Sequence, residues 1–150
     1  MKKTLMALFM SAVIFSSCNG GETLDIDAQK AAETIADGIG VTNDQLMEAP
    51  AEVINEWYTF DDMVVDFTVY VSATGGTANE IAVVKSKDVK TAEEALIRRV
   101  ENLKTRFKDY VPAEMVKLDN PVIVTKGDVA VMVIADDTAK AEKLIGEIFK

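Results

Sequence analysis

The sequence predicts an α+β fold: two N-terminal helices, then two strand-strand-helix units that form a four-stranded, mainly antiparallel sheet with helices packed on one face. Three observations predict it. Apolar residues recur at helical spacing from Ala28 to Ile39, and the period changes to two from Met63 onward. A hairpin-plus-helix pattern then occurs twice, in EIAVVKSKDVKTAEEAL and again in DVAVMVIADDTAKAEKLI. These two runs read as copies of one unit, a likeness that hairpin-plus-helix units also show without common origin.

The elements follow in order. Asp25 or Asp27 caps a first helix carrying Ala28, Ala31, Ala32, Ile35 and Ile39, and Gly38 and Gly40 end it. Pro50 suits the first turn of a second, shorter helix with Val53, Ile54, Trp57 and Tyr58. From Met63, Val65, Phe67, Val69 and Val71 point one way, and Asp66, Thr68, Tyr70 and Ser72 the other. Ala73 to Thr77 is a turn, and Glu80 to Ser86 is the returning strand. Thr91 caps a long helix with Ala92, Ala95, Leu96, Val100, Leu103 and Phe107 on its buried stripe, and Pro112 stops it. Val122 to Thr125, the turn Lys126-Gly127-Asp128 and Val129 to Ala135 form the second hairpin. Asp136 or Asp137 caps a last helix with Ala141, Leu144, Ile145, Ile148 and Phe149 inward.

Residues 1–17 read as a signal peptide. Lys2 and Lys3 precede an apolar run from Leu5 to Phe15, and Phe15-Ser16-Ser17 lead into Cys18, the single cysteine. The pattern is similar to a lipobox, in which the cysteine is acylated and becomes the first residue of the mature protein. Phe15 stands where Leu, Val or Ile is usual, so an ordinary secretory signal is the alternative. The apolar run falls short of the ~20 residues that cross a bilayer. Residues 18–23 form a tether whose reach is at most roughly 25 Å, at ~3.3–3.6 Å per residue. Residues 24–150 form a single α+β domain, and the expected location is extracytoplasmic, on the membrane through lipid at Cys18.

Composition narrows the function. Lys2 and Lys3 leave with the leader, so 14 of the 16 basic residues remain against 25 acidic ones, a net charge of −11. Such a chain has no nucleic-acid partner, because phosphate backbones attract clustered Lys and Arg. There is no histidine, and the one cysteine is assigned to lipid. Ser-His-Asp and Cys-His catalysis and the usual zinc sites are thereby excluded. Asp61, Asp62, Asp66 and Asp136-Asp137 are the densest acids, but their spacing lacks the central glycine of a calcium loop. Strand starts and helix caps account for them, so no metal and no cofactor is expected. Thr74-Gly75-Gly76-Thr77 joins two antiparallel strands rather than opening a helix, so it is no phosphate loop.

Charge is uneven along the chain. Residues 22–80 hold 13 acids and one base, whereas residues 85–108 hold eight bases and four acids. Arg98, Arg99, Lys104, Arg106 and Lys108 are the candidate anion-binding residues, for lipid headgroups, envelope phosphates or an acidic partner. A solvated helix face, paired with Glu94 and Glu101, is the alternative. Near an anionic leaflet each such charge contributes about 1 kcal/mol. A second candidate is the face of Ala130, Met132 and Ile134, since that strand is apolar on both sides. Either the N-terminal helices cover this face with Trp57 and Tyr58, or it meets a partner.

The run Asn79-Glu80-Ile81-Ala82-Val83-Val84-Lys85-Ser86-Lys87-Asp88 resembles the most recognisable segment of the DUF4358 family of small bacterial lipoproteins. Tyr70-Val71-Ser72, Tyr110-Val111-Pro112, Leu118-Asp119-Asn120, Lys126-Gly127-Asp128 and Ile134-Ala135-Asp136-Asp137 fall in the order that family shows. The likeness extends over roughly residues 25–149, with Val129-Ala130 departing where an aromatic is common. It implies an exported lipoprotein with one α+β domain and carries over no catalytic residue.

The expected function is therefore a membrane-anchored, non-enzymatic binding or protein-interaction module of the cell envelope, meeting an envelope protein or polymer. Two alternatives stand: an envelope hydrolase using carboxylates such as Asp62 or Asp66, and a dimeric structural lipoprotein joined through Met132 and Ile134. The oligomeric state is left open.

Overall fold

A computed structural model describes residues 15–16 and 22–150. Cys18, the tether before Glu22 and most of the leader lie outside the described residues. The central strands are apolar at both parities, so each face of the sheet needs a cover. That requirement sets the architecture. β4 (Glu80–Ser86) pairs antiparallel with β3 (Val64–Ser72) on one side and with β6 (Val129–Ile134) on the other. β5 (Val122–Lys126) lies outside β6, and β2 (Leu46–Glu48) lies outside β3. β1 (Phe15–Ser16) adds a short parallel pairing to β5, giving the order β1-β5-β6-β4-β3-β2.

Alternate residues of β4 and β6 feed two cores. Ala82, Val84, Ala130, Met132 and Ile134 face α2 (Ala51–Tyr58) and α3 (Val89–Tyr110). Ile81, Val83, Val129, Val131 and Val133 face α1 (Ala28–Ile39) and α5 (Thr138–Ile148). The fold is thus a mixed helix–sheet–helix arrangement, with five antiparallel strands among the described residues. Two expectations change. Helices cover both faces of the sheet rather than one, because α5 crosses to the side of α1 while α3 lies opposite. A fifth antiparallel strand, β2, is present, at three residues too short to show alternation.

Local chemistry explains the boundaries. Asp27, Asp88 and Asp137 accept the N–H groups that α1, α3 and α5 leave unpaired. Asp88 rather than Thr91 therefore caps α3, and Thr91 sits inside its first turn. Gly38 lies within α1, where a Cβ would stand 2.6 Å from Leu144 Cδ2, so it permits α1 to approach α5 closely. After α3, Pro112–Glu114 forms a single 3₁₀ turn that leads into the short α4 (Met115–Leu118). Among the described residues no helix is long and apolar enough to cross a membrane.

Glu22 and Leu24 lie against the β5–β6 turn. The Leu24 N–H donates to Asp128 Oδ1 at 2.8 Å, and Lys85 Nζ donates to the Leu24 carbonyl. Gly127 has φ +55°, and a Cβ there would stand 2.5 Å from the Glu22 carbonyl oxygen. This is the Ser86 end of β4. The β3–β4 hairpin is at the other end, about 20 Å away at ~3.4 Å per residue.

Ala130, Met132 and Ile134, the candidate interaction face, are at most 1 % exposed. α2 and α3 cover them, with Tyr58, Leu96, Val100 and Phe107 in the same core. As a correction to that candidate, the face is closed to a partner, and the face proposed to join a dimer is not at the surface. Met132→Ala is expected to cost about 2–5 kcal/mol in urea unfolding, the range for emptying a buried site. A surface methionine would give nearly nothing.

Candidate functional site

Glu80 opens β4 at the parity that otherwise carries Ala82 and Val84 into the core beneath α3. Arg99 occupies the matching position on the helix, between Leu96 and Leu103 on the buried stripe. Opposite charges at two core positions must meet or remain costly. They meet with fork geometry: Arg99 Nε donates to Glu80 Oε1 at 2.8 Å and Nη2 to Oε2 at 2.9 Å. The Tyr58 hydroxyl, from the end of α2, also donates to Glu80 Oε1. The guanidinium carbon of Arg99 lies 4.3 Å from the centre of the Trp57 ring, a cation–π contact.

The titration behaviour follows from burial. Burial pushes the Tyr58 hydroxyl well above the usual phenol range, and the negative charge of Glu80 adds to this. Burial lowers the Arg99 guanidinium, but hydrogen bonding and charge from Glu80 more than restore it, so the group stays cationic. Tyr58 is thus a neutral donor to a charged pair.

The hairpin beyond Ser72 completes the surroundings. Asp44 accepts from the Thr77 hydroxyl and, at 3.4 Å each, from Asn79 Nδ2 and Thr74 Oγ1. Asn79, only 2 % exposed, also donates to Thr77 Oγ1 at 2.8 Å and accepts from Lys117 Nζ at 3.1 Å. Lys117 in turn contacts Glu114 at 2.9 Å and Asp136 at 3.5 Å. Between hairpin and helix lies a cleft of about 60 Å³. Its walls are Trp57, Val71, Ser72, Gly75, Thr77, Ala78, Asn79, Glu80, Arg99, Leu103, Arg106 and Phe107. The α3 wall carries Leu103 and Phe107 together with the guanidinium groups of Arg99 and Arg106, and the hairpin contributes the hydroxyls of Ser72 and Thr77.

The sequence model of one family, described as a domain of unknown function (DUF4358), matches residues 40–135. The chain belongs to the DUF4358 family. The matched stretch contains every residue of the cleft and stops short of α1 and α5, which cover the far face of the sheet. No curated protein and no solved structure matches the chain.

In this DUF4358 chain the five basic candidates of α3 do not form one patch. At about 100° per residue, Arg99 and Arg106 share a side of the helix, while Lys108 is about 180° away. Arg99 is buried in the pair with Glu80, which corrects its expected place on a solvated face. Arg106 is exposed at the cleft, and among the described residues it forms no ion pair. Lys104 contacts Glu101 at 3.1 Å and Asp119 at 3.5 Å. Arg98 and Lys108 are exposed away from the cleft. Asp62 and Asp66 are exposed at the opposite end of β3, where Asp66 Oδ2 accepts the Ala28 N–H at 3.2 Å. Among the described residues no group of three or more acids could hold a metal.

Sequence reasoning passed over Glu80, Asn79 and the link to Tyr58. The signal was present: a lone acid at the apolar parity of a strand, and an arginine on the apolar stripe of a helix.

Two outcomes follow. Glu80→Gln is expected to cost about 3–5 kcal/mol, because it strands a buried cation, whereas Glu80→Leu combined with Arg99→Met recovers most of the loss in urea unfolding. The second concerns acid. Partial burial lifts the Asp44 carboxyl, but hydrogen bonds from Thr77, Ser72, the Gln45 N–H and Asn79 outweigh this and hold it below its ordinary value of 3.8. A lowered carboxyl favours the folded state while it is ionised. Its contribution is present above pH 3.8 and is lost as pH falls through the lowered value. Melting temperatures measured through this range should fall more steeply for the native chain than for Asp44→Asn.

Proposed function

We propose that the protein is a membrane-anchored, extracytoplasmic binding module of the cell envelope, and that its binding site is the cleft between the β3–β4 hairpin and α3. One observation carries the reading: the cleft is built around a buried ion pair whose carboxylate is already held by three hydrogen bonds. Glu80 accepts three hydrogen bonds, which fill three of its roughly four acceptor sites and hold Arg99 and Tyr58 in place. A general acid or base needs a proton it can release or take up near neutral pH. A carboxylate held by a guanidinium and a phenol serves as a rigid support, which favours recognition over proton transfer.

The anchor and the cleft support each other. Glu22 and Leu24 sit at the Gly127 end of the sheet, and the cleft lies at the opposite end. A lipid at Cys18 would hold the first end near the bilayer and present the cleft outward. The ligand then comes from the envelope space rather than from the lipid surface, and Arg99 and Arg106 face it.

Two measurements test this. Cys18→Ser should move the protein from the membrane to the soluble fraction and remove the acyl mass from the N-terminal peptide. An unmodified Cys18 in the mature protein sinks the anchor. A photocrosslinker at Thr77 should give a discrete adduct in intact cells, whereas one at Lys126, at the opposite end of the sheet, should not. Equal labelling from both positions rejects the cleft as the binding site.

A further inference from the structure

We infer that the cleft takes a carboxylate group carried on a short aliphatic stem, an assignment that rests on the binding-module reading and specifies its ligand. Three features lead to it. The first is a pair of guanidinium groups two helical turns apart. Arg99 uses Nε and Nη2 for Glu80, and among the described residues its Nη1 has no partner. Among those residues no buried side-chain nitrogen or oxygen lacks a hydrogen bond, so Nη1 reaches solvent, and Arg99 lines the cleft. Arg106 stands at the same cleft with its Nη2 4.0 Å from where a Cβ on Gly75 would lie.

The second feature is charge. Glu80 neutralises Arg99, so Arg106 leaves one positive charge at the mouth, which matches a monoanion. A doubly charged phosphate would meet one uncompensated cation on a chain of net charge −9. Guanidinium donors are fixed in the plane that a carboxylate presents. Arg99 is also held in orientation by Glu80 and the Trp57 ring, so little entropy is lost when it binds.

The third feature is size and lining. A space of about 60 Å³ admits roughly four to six small heavy groups, at about 10–15 Å³ for each water-sized occupant. Leu103 and Phe107 lie on α3 beside Arg99 and Arg106 and supply apolar surface for a short stem, and Ser72 lines the cleft from the hairpin. A free short-chain acid and the C-terminal residue of a peptide both present this chemistry.

Trp57, the single tryptophan, lines the cleft and reports on it directly. The full chain in detergent is titrated at constant ionic strength with sodium butyrate, N-acetyl-Ala-Ala, N-acetyl-Ala-Ala-amide and inorganic phosphate, following Trp57 fluorescence. Saturable changes are expected with butyrate or the free-carboxylate peptide and not with the amide. Arg106→Gln, at an exposed position, should weaken binding about ten- to hundredfold without changing the melting temperature. Tighter binding of butyrate identifies a free acid as the source, and tighter binding of the peptide identifies a chain terminus. Equal response to peptide acid and amide, preference for phosphate, an unaffected Arg106→Gln, or no saturation with any probe overturns the carboxylate assignment. The binding-module reading fails separately, through equal photocrosslinking at Thr77 and Lys126.

Discussion

The buried pair of Glu80 and Arg99 is the constraint around which one side of the molecule is organised. Removing two charges from water is costly, and attraction offsets the cost only where the geometry is good and further hydrogen bonds support the pair. Here the fork of Arg99, the Tyr58 hydroxyl and the Trp57 ring meet that condition together. Three elements are tied as a consequence: the start of β4, the middle of α3 and the last turn of α2. The site therefore has a rigid floor, and the β3–β4 hairpin above it is pinned separately through Asp44, Asn79 and Lys117.

This arrangement changes the meaning of the basic segment. Read along the chain, Arg98 to Lys108 looks like one positive surface for a bilayer. In three dimensions the helix disperses it: Arg99 turns to the core, Arg106 to the cleft and Lys108 to the far side. α3 begins at Val89, near the Leu24 end of the sheet, and runs towards the hairpin. Its second half is consequently remote from Leu24. Attraction to anionic lipid falls off over about 8–10 Å in physiological salt. A separation of roughly the length of β4 between these charges and Leu24 exceeds that range.

Much of the fold was legible in the residues. Alternation from Phe67 to Val71 located β3, and Gly127 marked the second turn. The buried stripe of α3 was read correctly apart from Arg99. The start of β3 was less regular, because a bulge between Val64 and Asp66 leaves Val65 exposed and frees Asp66 to meet the N-terminus of α1. β2 was missed because three residues carry no period. The site was harder to read, because Glu80 and Arg99 look like ordinary surface charges until their neighbours show them to be on core positions.

The sequence by itself determined the α+β alternation, the turn positions and the acidic body with its basic helix. Each of these depends on local pattern, which fixes how side chains alternate within an element. Only the tertiary structure decided that α2 and α3 cover one face of the sheet while α1 and α5 cover the other, closing the surface of Ala130, Met132 and Ile134. It also decided that Glu80 meets Arg99 and that the cleft lies at the end of the sheet opposite Leu24. Those outcomes depend on which elements become neighbours, and a period of two or 3.6 says which face is buried without saying what lies against it.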